Sequence, residues 1–379
     1  VAHRNNVLDG LCAQLGVDEA TGQLVDGVGP QRLDVSYEGE AASGDGLRRE
    51  WFGLALTEML DPRRGLFVSK DGNRTLQPNP HSQTTAGEDH LSYFALLGRI
   101  VGLALYHQET INAPWTTGFF KTIFGYDINF DDLHSVDPDK HGGLLKLRDM
   151  QEEELRALGL TFVVDEDEML VYDVASKRRR SVELKPNGAE EEVTTANLHE
   201  YLRLHATHAI VGSIHRQVAA FREGLSVFVD AGLRATLHSC CTVADIQLLV
   251  CGIAGIDVDD WQHSAQYEPE GFAGSVQIRW LWSTVRGLPP EEQSKLLSFC
   301  TGSVRVPALG FGALTGYNGA QHRFTVCRIH GADSGRLPTA STCFNTLHLP
   351  AYSSETELRT KLRQALRGAE GFYEGAIAI

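Results

Sequence analysis

The chain has 379 residues, of which 42% are hydrophobic and 22% charged, with a net charge of −15. That length can hold two or three substantial cores, and the composition is ordinary for a folded soluble protein. The acidic balance argues against a nucleic-acid surface, which needs clustered Lys and Arg for phosphate contacts, and no apolar run of membrane length or signal peptide occurs.

In chain order, the stretch before about residue 45 is rich in Gly and Asp, with one strand-like alternation at Leu33, Val35 and Tyr37. Leu47, Trp51, Leu54 and Met59 then recur near helical spacing, predicting a helix from Leu47 to Leu60 that Asp61-Pro62 ends. Asn73 to Gly87 is polar and punctuated by proline, which predicts a loop. Asp89 is placed to cap a long helix running to His107, in which Gly98 and Gly102 permit close helix packing. From Asn129 to Gly188 the character changes. Two short helices around Asp131 and Gln151 precede strand-like runs at Leu160–Val164, Met169–Val174 and Val182–Leu184, giving a small helix-plus-hairpin module set into a helical body.

Thr195 is placed to cap a long helix from Leu198 to Phe221, with Leu202, Ile210, Ile214, Val218 and Phe221 in register. His205, His208 and His215 lie on it without converging ligands for a metal. Cys251-Gly252-Ile253-Ala254-Gly255-Ile256-Asp257 reads as a linker or as a glycine-capped helix end. Helices at Val276–Val285 and from Pro289-Pro290 through Phe299 follow, then a strand at Phe324–Ile329. Ser354 and Glu357 have capping-box spacing before an apolar stripe of Leu358, Leu362 and Leu366. The chain opens Val1-Ala2-His3-Arg4 without methionine, which suggests a domain cut from a longer protein.

The basic run Lys177-Arg178-Arg179-Arg180 is flanked by acidic stretches and reads as a solvated hairpin end. The cysteines (Cys12, Cys240, Cys241, Cys251, Cys300, Cys327 and Cys343) are odd in number and contain no CxxC spacing, so neither a zinc site nor a disulfide framework is indicated. No cofactor is implied.

Cys343 stands apart from the other cysteines. It follows Leu337-Pro338-Thr339-Ala340-Ser341-Thr342 and precedes Phe344-Asn345, with Leu347, Leu349 and Tyr352 as anchors downstream. A lone cysteine is ordinarily a small buried hydrophobe. A thiol on a small, polar segment between an extended approach and an anchored exit suits covalent group transfer instead, because the thiolate is a nucleophile.

Leu-Pro-x-x-x-Thr-Cys-Phe-Asn followed by Leu347-His348-Leu349-Pro350-Ala351-Tyr352 resembles the active-site signature of HECT-type E3 ubiquitin ligases. Leu47-Arg48-Arg49-Glu50-Trp51-Phe52, Gly98-Arg99-Ile100-Val101-Gly102-Leu103-Ala104, Ser135-Val136-Asp137-Pro138, Glu183 to Gly188, Gln217 to Phe221 and Phe299 to Pro307 are similar to other blocks of that family, in its order. The resemblance implies an α+β, bilobal fold. A helix-rich N-terminal lobe, 1–252, would hold a small α/β subdomain at about 126–195 that docks an E2. A hinge at 253–255, bracketed by Gly252, Ile253, Ala254 and Gly255, would lead to a smaller α/β C-terminal lobe, 256–379.

It also implies the reaction. Ubiquitin would pass from the E2 cysteine to Cys343 as a thioester and then to a substrate lysine, in an intracellular setting, cytoplasmic and also nuclear. Leu337 and Pro338 would help hold the ubiquitin tail, with Ser341, Thr342, Phe344 and Asn345 completing the loop. Ser341 stands where many members have histidine, and His348 is the nearest histidine in sequence. Phe372 matches by context a phenylalanine that positions the acceptor, in a tail extended beyond the family's usual end. Tyr106 matches a tyrosine of a ubiquitin-binding surface in some members, the other reading being a core or helix-end tyrosine. A cysteine hydrolase of the deubiquitinase type and a non-catalytic ubiquitin- or E2-binding scaffold are the competing readings. The first lacks a recognisable His partner motif, and the intact Thr-Cys-Phe-Asn speaks against the second.

Overall fold

The apolar spacing after Leu47 produces the expected helix, Asp45–Met59 (α1), which ends where Asp61 turns the chain by accepting a hydrogen bond from the Arg63 N–H. This computed structural model describes residues 8, 11, 33, 35–37, 45–70, 75–167, 179–253, 255–316, 319–329 and 335–374. The stretch expected as a loop before Gly87 is more ordered than its polarity suggests. Phe67–Val68 (β1) pairs antiparallel with Gln77–Pro78 (β2), and Ser82–Ala86 forms a short helix, α2. Its polar side chains bond distant backbone: Asn79 Nδ2 donates to Gly65 O at 2.9 Å and the buried Gln77 Nε2 to Ile210 O at 3.1 Å. Local composition cannot announce such partners.

His90–Tyr106 (α3) runs through the largest core and is buried on most of its surface. Asp89 occupies its N-cap position, but the carboxylate makes no capping bond, contrary to expectation. The glycines do allow close packing: a Cβ on Gly98 would collide with the Phe221 carbonyl, and one on Gly102 with the Phe228 ring. Thr117–Phe124 (α4) packs into the same core, with Trp115, Phe119 and Phe221 ring to ring at 5.4–5.5 Å.

The inserted module has more helix than predicted. In place of two short helices it has three, Leu133–Val136 (α5), Pro138–Leu145 (α6) and Glu152–Ala157 (α7), joined by 3-10 turns. Val163–Asp167 (β3) and Arg179–Glu183 (β4) form an antiparallel pair, in which Arg179 and Arg180 open β4 opposite Asp167 and Glu166, while Lys177 and Arg178 lie outside the described residues. The predicted strand Met169–Val174 lies outside the described residues.

The single helix expected from Leu198 to Phe221 is two helices, Leu198–Ile210 (α8) and His215–Ser226 (α9), with a 3-10 turn at Gly212–Ile214 between them. Two cores explain the break. Leu198, Tyr201 and Leu202 pack with Phe162 in the module, whereas Ile214, Val218 and Phe221 pack in the large core, so the chain must change direction. Periodicity survives that turn and hides it. Thr195 caps neither helix. Its N–H and hydroxyl donate to the Glu152 carboxylate at 2.8 and 2.6 Å, and these bonds, helped by Arg156, draw Glu152 down to about 2.

His205 on α8 is 7% exposed, and burial pushes it down to about 4. The unfolded chain takes up a proton near the ordinary histidine value of about 6.5, so stability is lost as pH falls from there towards 4. Between those limits the loss is on the order of 3 kcal/mol. His205→Leu should flatten that loss in urea titrations compared at neutral and mildly acidic pH. An unchanged slope would mean that His205 is solvated.

After Ala231–Cys240 (α10) and Val243–Cys251 (α11), Gly252 ends the helix with φ +65°. Beyond it lies a separate hydrophobic cluster built on Trp261, Trp282, Phe311 and Phe324. Val258–Ser264 (α12), Val276–Arg286 (α13) and Pro290–Thr301 (α14) surround a four-stranded sheet of Gln266–Glu268 (β5), Thr325–Arg328 (β6), Thr339–Ser341 (β7) and Thr346–Leu349 (β8). Its order is β5-β6-β8-β7, with β7 antiparallel to β8 and the other pairs parallel. The last helix, Glu355–Glu374 (α15), buries Leu358, Leu362 and Leu366 as expected. Ser354 caps it as expected, its Oγ accepting from Glu357 N, while the Glu357 carboxylate accepts from the N–H and hydroxyl of Ser353 rather than from Ser354 N. Because α15 continues to Glu374, Phe372 belongs to the helix and not to a tail beyond it.

Candidate functional site

Cys343 sits at the centre of a one-turn 3-10 helix, Thr342–Phe344, between β7 and β8. The extended approach is β7, which opens just after the buried Pro338, and the anchored exit is β8, with Leu347 and Leu349 fully inside the core. Tyr352 adds a tie, its hydroxyl donating to Arg336 O at 2.8 Å. Leu337 is half-buried, Ser341, Thr342 and Cys343 are half-exposed, and Phe344 is 49% exposed with its ring against His322. Presentation of the thiol thus follows from a tight turn between strands of fixed register, with Ser341 opposite Thr346.

Asn345 makes that turn possible. It adopts the left-handed conformation (φ 46°, ψ 38°), which asparagine tolerates better than most residues, and its N–H closes the turn on Thr342 O. Its side chain is completely buried. Nδ2 donates to Thr315 O at 2.9 Å and to His322 O at 2.6 Å.

Asn345 Oδ1 accepts from Arg49 Nη1 at 3.4 Å, and through Arg49 the turn is tied to α1. Arg49 Nη1 also donates to Thr301 O at 3.2 Å, and Nη2 to Thr315 O at 2.6 Å and Oγ1 at 3.0 Å. Its Nε meets Glu109 Oε2 at 3.0 Å, and Arg48 Nη2 lies 3.4 Å from the same carboxylate. All three side chains are at most 8% exposed. The α1 backbone comes equally close. A Cβ on Gly46 would strike Thr342 Oγ1 and lie 3.2 Å from Cys343 Sγ. Arg49, Glu109, Thr315 and Gly46 escaped the sequence reading as site residues. Arg49 had a visible signal, a doubled arginine on the apolar helix, but its partners are far away in sequence.

Burial pushes Cys251 up to about 11 and Cys300 higher still, and it also raises Cys327, beside Glu268. The hydrogen bond with Cys240 raises Cys241. Cys12 lies outside the described residues. Tyr106 ends α3 with 55% exposure, its ring 5.9 Å from that of Phe228, so it is a helix-end tyrosine and not a core one. At the linker, a Cβ on Gly252 would collide with Val306 O, and Ile253 N donates to that same carbonyl at 2.8 Å. Gly255 stands in open space, and Ala254 lies outside the described residues. The side chain of Phe372 also lies outside them. Among the described residues no cluster of three His, Cys, Asp or Glu could hold a metal, and no helix is long and apolar enough to cross a membrane.

Residues 53–374, with this turn inside them, match the family described as HECT-domain (ubiquitin-transferase). The chain belongs to the HECT-domain family. Over 343 residues, 90% of the chain, it is 36% identical to E3 ubiquitin-protein ligase Nedd-4 of Drosophila melanogaster and to E3 ubiquitin-protein ligase HACE1 of Danio rerio, and 34% identical to E3 ubiquitin-protein ligase UPL2 of Arabidopsis thaliana. The match covers 32%, 36% and 9% of those proteins, so the chain spans about a third or less of the curated relatives. The α+β architecture agrees with HECT membership, which makes this domain a ubiquitin transferase, and the hydrolase and scaffold readings find no support. The HECT match begins just after Arg49, although Arg49 is bonded into the Cys343 turn.

Proposed function

We propose that the chain accepts ubiquitin from a charged E2 as a thioester on Cys343 and passes it to a lysine of a protein substrate. The observation that carries this reading is the Cys343 turn, a half-exposed thiol held between two core-anchored strands within a HECT match. Thiol–thioester exchange is nearly isoergic, so a nucleophile, alignment and exclusion of water are the main requirements. Loading with E1, E2, ATP and ubiquitin, followed by thiol treatment, tests it: a reducible adduct is expected, and cleavage of ubiquitin chains without one would point to a hydrolase.

The E2 is proposed to dock on the module at about 126–195, where Leu145 and Leu158 are 38% and 50% exposed, apolar surface suited to a protein partner. Leu337 and Pro338, beside the turn, are proposed to guide the ubiquitin tail, Tyr106 to offer a ubiquitin-binding surface, and Phe372 to orient the acceptor. A free nucleophilic thiol suits a reducing compartment, and we place the activity in the cytoplasm or nucleus.

One thiol must meet two partners in turn, so the lobes are proposed to reorient about Gly252–Gly255. Stiffening by proline at Ile253 is a poor test, because Ile253 packs on the C-terminal core and its N–H is bonded. Gly255→Pro acts in open space. E2 binding should survive while E2-to-Cys343 transfer slows about tenfold or more, in a single-turnover assay. An unchanged rate would place the pivot elsewhere.

A further inference from the structure

Two residues before Cys343, Ser341 Oγ lies 2.9 Å from His348 Nε2. The pair is built by the sheet. Leu347 and Leu349 fill the core, so His348 between them stands on the opposite face of β8, as the two-residue period requires. Register puts Thr339 opposite His348 and Ser341 opposite Thr346, which makes Ser341 and His348 diagonal neighbours on that face. Both are half-exposed. Since two residues span at most about 7 Å of backbone, Ser341 lies within that reach of Cys343 along the chain.

Transfer from the thioester to an amine sheds protons. A lysine arrives mostly as ammonium near neutral pH and must lose one proton before its nitrogen can attack. Attack forms the C–N bond. The C–S bond then breaks, its electron pair leaves on Cys343 Sγ, and the nitrogen gives up a second proton. Histidine is the side chain suited to receive a proton near neutrality. We propose that Ser341 and His348 form the proton acceptor for this step, the serine hydroxyl meeting the acceptor amine and relaying its proton to the imidazole. The inference rests on the thioester reading of Cys343. It adds a role for His348 that membership in the family does not assign.

Thr339 on β7 and Cys327 on β6 lie in register with His348, and Glu268 on β5 lies in register with Cys327.

The test loads Cys343 from a charged E2, removes the E2, and follows discharge to free lysine or to hydroxylamine, an amine already unprotonated at neutral pH. For Ser341→Ala and His348→Gln, loading should proceed at the wild-type rate. Discharge to lysine should slow roughly 10²-fold, while discharge to hydroxylamine stays within about twofold. Ser341→Thr keeps a hydroxyl and should retain most of the lysine rate, which covers any folding defect in the alanine variant. Wild-type lysine discharge in both variants would overturn the relay. Equal slowing towards lysine and hydroxylamine would overturn it too, leaving the pair a structural tie of the turn. A wild-type protein that never loads would instead sink the thioester reading, and the relay with it.

Discussion

Cys343→Ser should abolish the thiol-sensitive ubiquitin adduct, lowering turnover by on the order of 10³-fold or more, because the nucleophile itself is removed. A residual adduct, if formed, would be an oxyester that survives thiol treatment. Cys327→Ser and Cys300→Ser should keep the reducible adduct. They are unequal controls, however. Cys327 is half-buried, so its exchange is mild, whereas Cys300 is fully buried and a hydroxyl there costs about 1–3 kcal/mol unless it finds a partner. Cys300 also adjoins Thr301, whose carbonyl accepts from Arg49. Circular dichroism and thermal unfolding therefore have to accompany the loading gel. Loss of the adduct in a folded Cys300→Ser protein, with Cys343 intact, would overturn the assignment of the nucleophile.

Arg49→Met should cost about 3–5 kcal/mol, because it removes the better-placed partner of a buried carboxylate and leaves Glu109 with Arg48 at 3.4 Å. The same substitution unties Asn345, Thr301 and Thr315, which lie beyond Gly252 on the side of the Trp261 cluster. The two consequences can be separated. Adding Glu109→Gln neutralises the stranded charge and should recover much of the stability seen in urea, but it cannot restore those bonds. Fluorescence transfer between a dye on α3 and a dye on α13 should therefore show a broader distance distribution in both the single and the double variant. A narrow, wild-type distribution in the double variant would mean that the two cores are held together by other contacts and that Arg49 serves the core before Gly252 alone.

Patterns carried by neighbours in the chain were open to reading from the amino acids alone. Helical spacing announced α1, α3 and α15, the Thr-Cys-Phe-Asn turn singled out Cys343, and the paired glycines on α3 foretold close helix packing, because each is a local consequence of side-chain size, period or backbone freedom. What depended on distant partners stayed hidden. The helix expected from Leu198 to Phe221 breaks because its two ends serve different cores, and Thr195 forgoes capping for a carboxylate 43 residues away. Asn345 could be named as part of the motif, but its reach to Arg49, 296 positions earlier, could not. The candidate thiol is thus legible in the sequence, through the motif that resembles the family's. Its support, in which a buried arginine and asparagine satisfy each other and the backbone around them, exists only where folding brings those groups out of water together, since buried polar atoms must find partners wherever the fold supplies them.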